Sequence, residues 1–169
     1  MARLLFGELF EKSEKEDSVM VPEELACPIT KGEKILVAVD GSEYTDIVVD
    51  QAISMGRICN SVIVAISVIP FFPEYVSSAL QLEQELSKNT RKLLEKVKRR
   101  IEKENIECET LVRIDGQPHE PIVQEAKKRN IDLIVMGTRG MSGLKRVFMG
   151  SVAQKVIGYA PCPVMVVPV

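Results

Sequence analysis

Short apolar runs, each followed by a segment of helical period, restrict this chain more than any other feature. Ile35-Leu36-Val37-Ala38-Val39 is the first run and ends at Asp40-Gly41-Ser42. Ser61 to Ile69, Ile131 to Met136 and Pro163 to Pro168 are similar, and Ile106 to Ile114 alternates. A continuous apolar strand must be covered on both faces, as in the parallel sheet of an α/β protein. Between the runs, residues 43–59 place Ile47, Val48, Ala52, Met55 and Ile58 near helical spacing, behind an N-cap at Ser42. Ser78-Ala79-Leu80-Gln81 opens an amphipathic helix over 78–104, with Leu82, Leu86, Leu93, Val97 and Ile101 as its stripe. Pro118 suits the first position of a helix through Arg129, and Ser151-Val152-Ala153-Gln154 is a capping box for a short last helix. The order β-α-β-α-β-α-β-α-β predicts a doubly wound five-stranded parallel sheet with helices on both faces. The ligand crevice of such a sheet lies beyond the carboxyl ends of its strands, where the strand order reverses.

Residues 1–31 stand apart as an N-terminal arm, leaving 32–169 as the domain. The arm pairs an apolar patch, Leu4 to Phe10, with the charge run Glu11 to Asp17. Its patch is too short and acidic for a signal segment, and no stretch reaches the roughly 18 apolar residues of a membrane span. The expectation is a cytoplasmic protein. With 22 basic and 24 acidic residues the net charge is −2, which gives no bulk attraction to nucleic acid or an anionic membrane. Trp is absent, so a base-stacking platform is not expected, and Lys96 to Arg100 is read as a solvated helix face.

The single histidine, His119, excludes multi-histidine zinc sites, and Val123 stands where a metalloprotease helix needs its second histidine. Gly140-Met141-Ser142-Gly143 has the wrong spacing for a nucleophile elbow. Cys27, Cys59, Cys108 and Cys162 form no Cys-x-x-Cys pair, so reduced and mostly buried thiols are expected.

The most informative stretch runs from Gly137 to Ser151, between the fourth strand and the last helix. It is neither a P-loop nor Gly-x-Gly-x-x-Gly. Its chemistry is that of anion binding. Glycines let backbone N–H groups approach a phosphate, and Gly150-Ser151 sits at a helix N-terminus whose unpaired amides favour negative charge. Arg139 or Lys145 would add charge to that cradle. Each piece has a plainer role: Ser151 with Gln154 is explained by capping, and Gly137 and Gly140 by chain turning.

Gly137, Gly140, Gly150 and Ser151 satisfy Gly-x2-Gly-x9-Gly-Ser. Together with Val39-Asp40-Gly41-Ser42, Gly116-x-Pro118, Asp132 to Gly137 and the closing Pro-Cys-Pro-Val-Met-Val-Val, they make residues 33–169 resemble the ATP-binding universal stress proteins. The resemblance implies strand order 3-2-1-4-5, with ATP between strands one and four. It implies that Asp40, with Ala38 beside it, contacts adenosine, and that Val68 forms an apolar wall near adenine. Asp40 has the plainer alternative of capping the first helix with Ser42, and Val68 could equally be a core valine. The resemblance further implies phosphate contacts from Gly137, Arg139, Gly140, Gly150, Ser151 and Val152, and a divalent cation, Mg or Mn, on the phosphates. It implies a homodimer through the last strand, which that strand order leaves at an edge with an apolar ribbon, Val164 to Val167. No catalytic residue is expected, and at most slow ATP hydrolysis. An ATP-using transferase or synthetase and a nucleotide-free dimeric interaction module are the competing readings.

Overall fold

A computed structural model describes residues 27–29, 31–70, 79–140 and 149–169, with the side chains of 79–83 outside that description. Nine elements alternate without exception: β1 Lys34–Ala38, α1 Thr45–Cys59, β2 Val62–Pro70, α2 Ala79–Glu102, β3 Cys108–Asp115, α3 His119–Arg129, β4 Leu133–Gly137, α4 Ser151–Tyr159 and β5 Val164–Val167. All pairings are parallel and the sheet order is β3-β2-β1-β4-β5, as expected. Strand boundaries lie one or two residues from those expected. The hydrogen-bonding pattern nevertheless runs past the formal end of β1, since Val39 N donates to Ile66 O at 2.9 Å.

The pleat sorts the apolar runs onto two cores. Ile35 and Val37 of β1, with Ile63, Ala65, Leu133 and Val135, face α1 and α2, where Val49, Ala52, Leu94, Val97 and Ile101 cover them. Leu36, Val64, Ile66, Ile134 and Met136 face the other way, against Ile122 and Ala126 of α3 and Ala153 and Val156 of α4. Each Val, Leu, Ile or Met side chain among them, removed from water, contributes ~1.5–3 kcal/mol.

The helical stripes are shifted from the expected ones. In α1 Val48, Ala52 and Met55 are buried as expected, but Val49 and Ile53 join them, while Ile47 is 48% exposed. In α2 Leu94 is buried and Leu86 is 39% exposed. A 24-residue helix is about 36 Å long, more than the strands it covers, so its first turns overhang the sheet. Leu82 and the Ser78 cap lie outside what is described. Pro118 is the residue before α3 and not its first. Asn60 and Asn130 end α1 and α3 in left-handed conformations.

Neither serine caps its helix. α1 begins after Tyr44 with no side-chain cap, and the Asp40 carboxylate accepts the Ser42 amide at 3.0 Å, which turns the chain before the helix starts. α4 begins after Gly150, also uncapped. Ser151 is its first residue, and the Gln154 amide group donates to Met149 O instead of closing a capping box.

The expectation of four thiols is corrected. Cys27 and Cys59 form a disulfide across 32 residues, and only Cys108 and Cys162 are free. Sequence spacing gave no sign of it because the chain reverses at Gly32, which holds φ +63° and brings Cys27 back onto the end of α1.

On the far side of the sheet, buried Glu125 of α3 accepts from Arg113 of β3 at 2.6 and 3.0 Å and from Arg129 at 2.9 Å. Burial alone would raise its pKa. The hydrogen bonds and charges of Arg113 and Arg129 outweigh that and hold the carboxyl below the usual carboxylate range. A folded pKa below the unfolded one adds stability above the unfolded value and loses it as pH falls through the folded one. Glu125→Gln is therefore expected to cost about 2 kcal/mol in urea unfolding at pH 7, less than a fully buried pair because both guanidiniums still meet water. The deficit should shrink progressively below the ordinary carboxylate pKa. A deficit that stays constant down to acid pH would exclude the ion pairs as its cause.

Candidate functional site

The order reversal leaves β1 and β4 side by side with their following helices on opposite faces. The chains leaving the two strands diverge, and a crevice of about 340 Å³ opens above them. Because every strand is parallel, every helix that follows a strand starts at this end. The crevice is edged by the starts of α1, α3 and α4, marked by Tyr44, Pro118 and Gly150, none of which has a side-chain cap. Uncapped helix starts present amide N–H groups and a partial positive charge.

All nine residues singled out from the sequence line this one crevice: Ala38, Asp40, Val68, Gly137, Arg139, Gly140, Gly150, Ser151 and Val152. The two strand ends supply Ala38 and Gly137, and β2 supplies Val68. Val68 is half-buried, and the wall it forms continues through Ile66 and Pro70. Met136 and Thr138, inside the quoted motifs but not among those singled out, also line the crevice, as do Ile122, Tyr44 and Thr45, which carry no motif. Their only sequence signal is position, at a strand end or a helix start. Lys145 lies outside the described residues.

The wall between β4 and α4 is mainly backbone. Gly150 N donates to Thr138 O at 2.7 Å, which pins the start of α4 to the loop after β4. The first amide of α4 bonded within the helix is that of Gln154, to Gly150 O at 3.1 Å, so the amides of Ser151, Val152 and Ala153 precede the ladder. A Cβ on Gly150 would stand 3.1 Å from Thr138 O. Gly140 does not need a positive φ. It needs space, because a Cβ there would collide with Asp40 Oδ2. Asp40 and Gly140 are thus packed face to face across the mouth of the crevice. Beside them Arg139 carries the site's one orphan among the described residues, a buried Nε with no hydrogen-bond partner. A buried guanidinium N–H without an acceptor is costly and suits a site completed by an anion.

The Universal stress protein family pattern matches residues 32–168. The chain belongs to that family. A universal stress protein of Methanocaldococcus jannaschii is 37% identical over 138 residues, covering 79% of this chain and 81% of that one. A second protein of that organism, known by its structure, superposes with a TM-score of 0.76 at 26% identity, over 82% of this chain and 97% of that one. The structure of a universal stress protein from Archaeoglobus fulgidus in complex with dAMP superposes with a TM-score of 0.62 at 25% identity, over 79% and 96%.

Within this family member, Gly140→Val is expected to push Asp40 aside and to weaken binding of a fluorescent adenine nucleotide by at least tenfold, about 1.4 kcal/mol. Thermal unfolding should move little, since the position is half-buried and has ordinary backbone angles. Unchanged affinity would remove the Asp40–Gly140 contact from the site.

Proposed function

We propose that this universal stress protein binds ATP in the crevice between β1 and β4 and acts as a nucleotide-dependent switch in the stress response of the cytoplasm. One observation carries the reading: Asp40, the orphaned Nε of Arg139 and the uncapped start of α4 converge on a single crevice. The related A. fulgidus protein, solved with dAMP, supports an adenine nucleotide as the ligand class. The extra phosphates of ATP match the donors. Arg139, the amides of Ser151 and Val152 and the Ser151 hydroxyl all donate, and an anionic polyphosphate only accepts. Gly137, Gly140 and Gly150 keep side chains out of its path. Asp40 would accept from ribose or adenine donors, and Ala38 and Val68 would pack on the base. A cation of the Mg or Mn type would ride on phosphate oxygens. Among the described residues no group of three His, Cys, Asp or Glu is placed to hold a metal.

Protein purified without added nucleotide is expected to release an adenine nucleotide detectable by mass spectrometry. ATP should bind about tenfold or more tightly than adenosine, and more tightly with Mg or Mn than in chelator. Equal affinity with and without metal would overturn the metal-bridged triphosphate. No binding of any adenine nucleotide would favour the nucleotide-free interaction module. Turnover stimulated by a small acceptor would favour the transferase reading.

The switch would act as a homodimer paired through β5. That strand is an edge, and its carbonyls at 163 and 167 already accept from β4, which turns the backbone groups of Val164 and Val166 outward. Val166→Pro removes one outward N–H and no bond to β4. Light scattering should show a dimer for the parent and a monomer for this variant, with the circular dichroism unchanged. A dimeric variant would exclude β5 as the seam.

A further inference from the structure

The Cys27–Cys59 disulfide lies at the opposite end of the sheet from the crevice, where α1 ends and β1 begins. We propose that it is an exchangeable redox latch: a dithiol opens it and releases the segment ending at Gly32 from the end of α1, while the sheet stays folded.

Three observations support this independently of any nucleotide. First, the bond is reachable. Cys27 and Cys59 are both half-buried, and Pro28 and Lys31 beside them are exposed. Second, among the described residues the segment has few other holds. Ile29 packs on the rim of the core, and the Ser61 hydroxyl donates to Gly32 O. Gly32 fits only as glycine, since a Cβ there would meet Cys27 Sγ and stand 3.1 Å from Cys59 Cβ. Third, the sheet is pinned without the latch. Asp132 Oδ2 accepts the amides of Glu33 and Lys34 at 2.9 and 3.0 Å, and Val62 N donates to Glu33 O at 2.9 Å. Opening the disulfide therefore removes the covalent hold on Cys27 and leaves the start of β1 in place.

The exchange balances with a dithiol as the two-electron donor. One thiolate of the dithiol attacks Sγ of Cys27 or Cys59, and the Sγ–Sγ bond breaks. The displaced cysteine leaves as a thiolate and takes a proton. The second thiol of the reductant then attacks the mixed disulfide, closes its own disulfide and releases the other cysteine as a thiol. The remaining cysteines do not compete. Burial, aided by Glu102, pushes the Cys108 thiol up to about 12, and burial also raises that of half-buried Cys162, so both stay protonated at neutral pH.

The test uses the full chain and trypsin, which cuts after exposed Lys31. Air-oxidised protein, unfolded without reductant, should titrate two thiols, and four after reduction. In the native state, excess dithiothreitol should raise the cleavage rate after Lys31 by roughly tenfold or more, because cleavage follows the population of the open segment. The circular dichroism should not change. Cut oxidised protein should hold its N-terminal fragment until reductant is added. Cys27→Ser should cleave at the fast rate in either condition, and Cys108→Ser should still switch. Four thiols in oxidised protein, equal cleavage rates, a disulfide joining two chains, or reduction only together with unfolding would each overturn the latch.

Discussion

Pairing of β1 with β4 is the contact on which the rest of the molecule depends. It joins strands separated by three helices and two strands in the chain, and it is the point where the order turns from β2 to β5. Three residue pairs set its register, Ile35 with Leu133, Leu36 with Ile134 and Val37 with Val135, all of them buried. Slippage by one residue would send each side chain into the wrong core. Asp132 resists that at the entrance, where its carboxylate and its amide tie it to Glu33 and Lys34. The sheet is thus locked where the strands begin and is left to open where they end.

That opening is built mainly from backbone. Every parallel strand delivers its helix to the same end, so α1, α3 and α4 bring their starts together there. In a protein without a ligand, an uncapped helix start forgoes ~0.5–2 kcal/mol that a Ser or Asp cap would supply. Three uncapped starts at one crevice, with a serine available at both α1 and α4, are a local inconsistency of the kind found at functional sites. Ser42 gives its amide to Asp40, and Ser151 stands inside the helix with its hydroxyl exposed. What a helix would normally satisfy within itself is presented to the crevice.

The fold was legible because its signals were strong and redundant. The apolar runs and their spacing follow from residues that must be buried on two sides, while the strand order, and with it the edge position of the last strand, was implied by the family resemblance. The site was legible through its glycines, since Gly140 and Gly150 sit where a Cβ would strike Asp40 Oδ2 or crowd Thr138 O. The remainder was not. Tyr44, Thr45 and Ile122 reach the crevice through tertiary position, which no local motif records. Ser-x-x-Gln at 151–154 matched a capping box, yet the helix begins one residue earlier than a Ser151 cap requires, and Gln154 took Met149 O instead. Helical spacing found Val48, Ala52 and Val97 but could not say how far a stripe extends, because that depends on where the sheet beneath it stops.

The cysteines show the same limit in its sharpest form. Spacing rules detect metal and redox motifs because those bring sulfurs together locally. Cys27 and Cys59 meet through a reversal at Gly32 and a complete helix, so their proximity is a property of the fold. Their placement divides the molecule. At one end of the sheet the chain is held by a covalent bond, a buried hydroxyl contact and the Asp132 tie. At the other, three helix starts and an unpartnered guanidinium nitrogen remain to be satisfied. The central strands β1, β2 and β4 between them are largely buried, so the pinned end fixes where the donors of the open end stand.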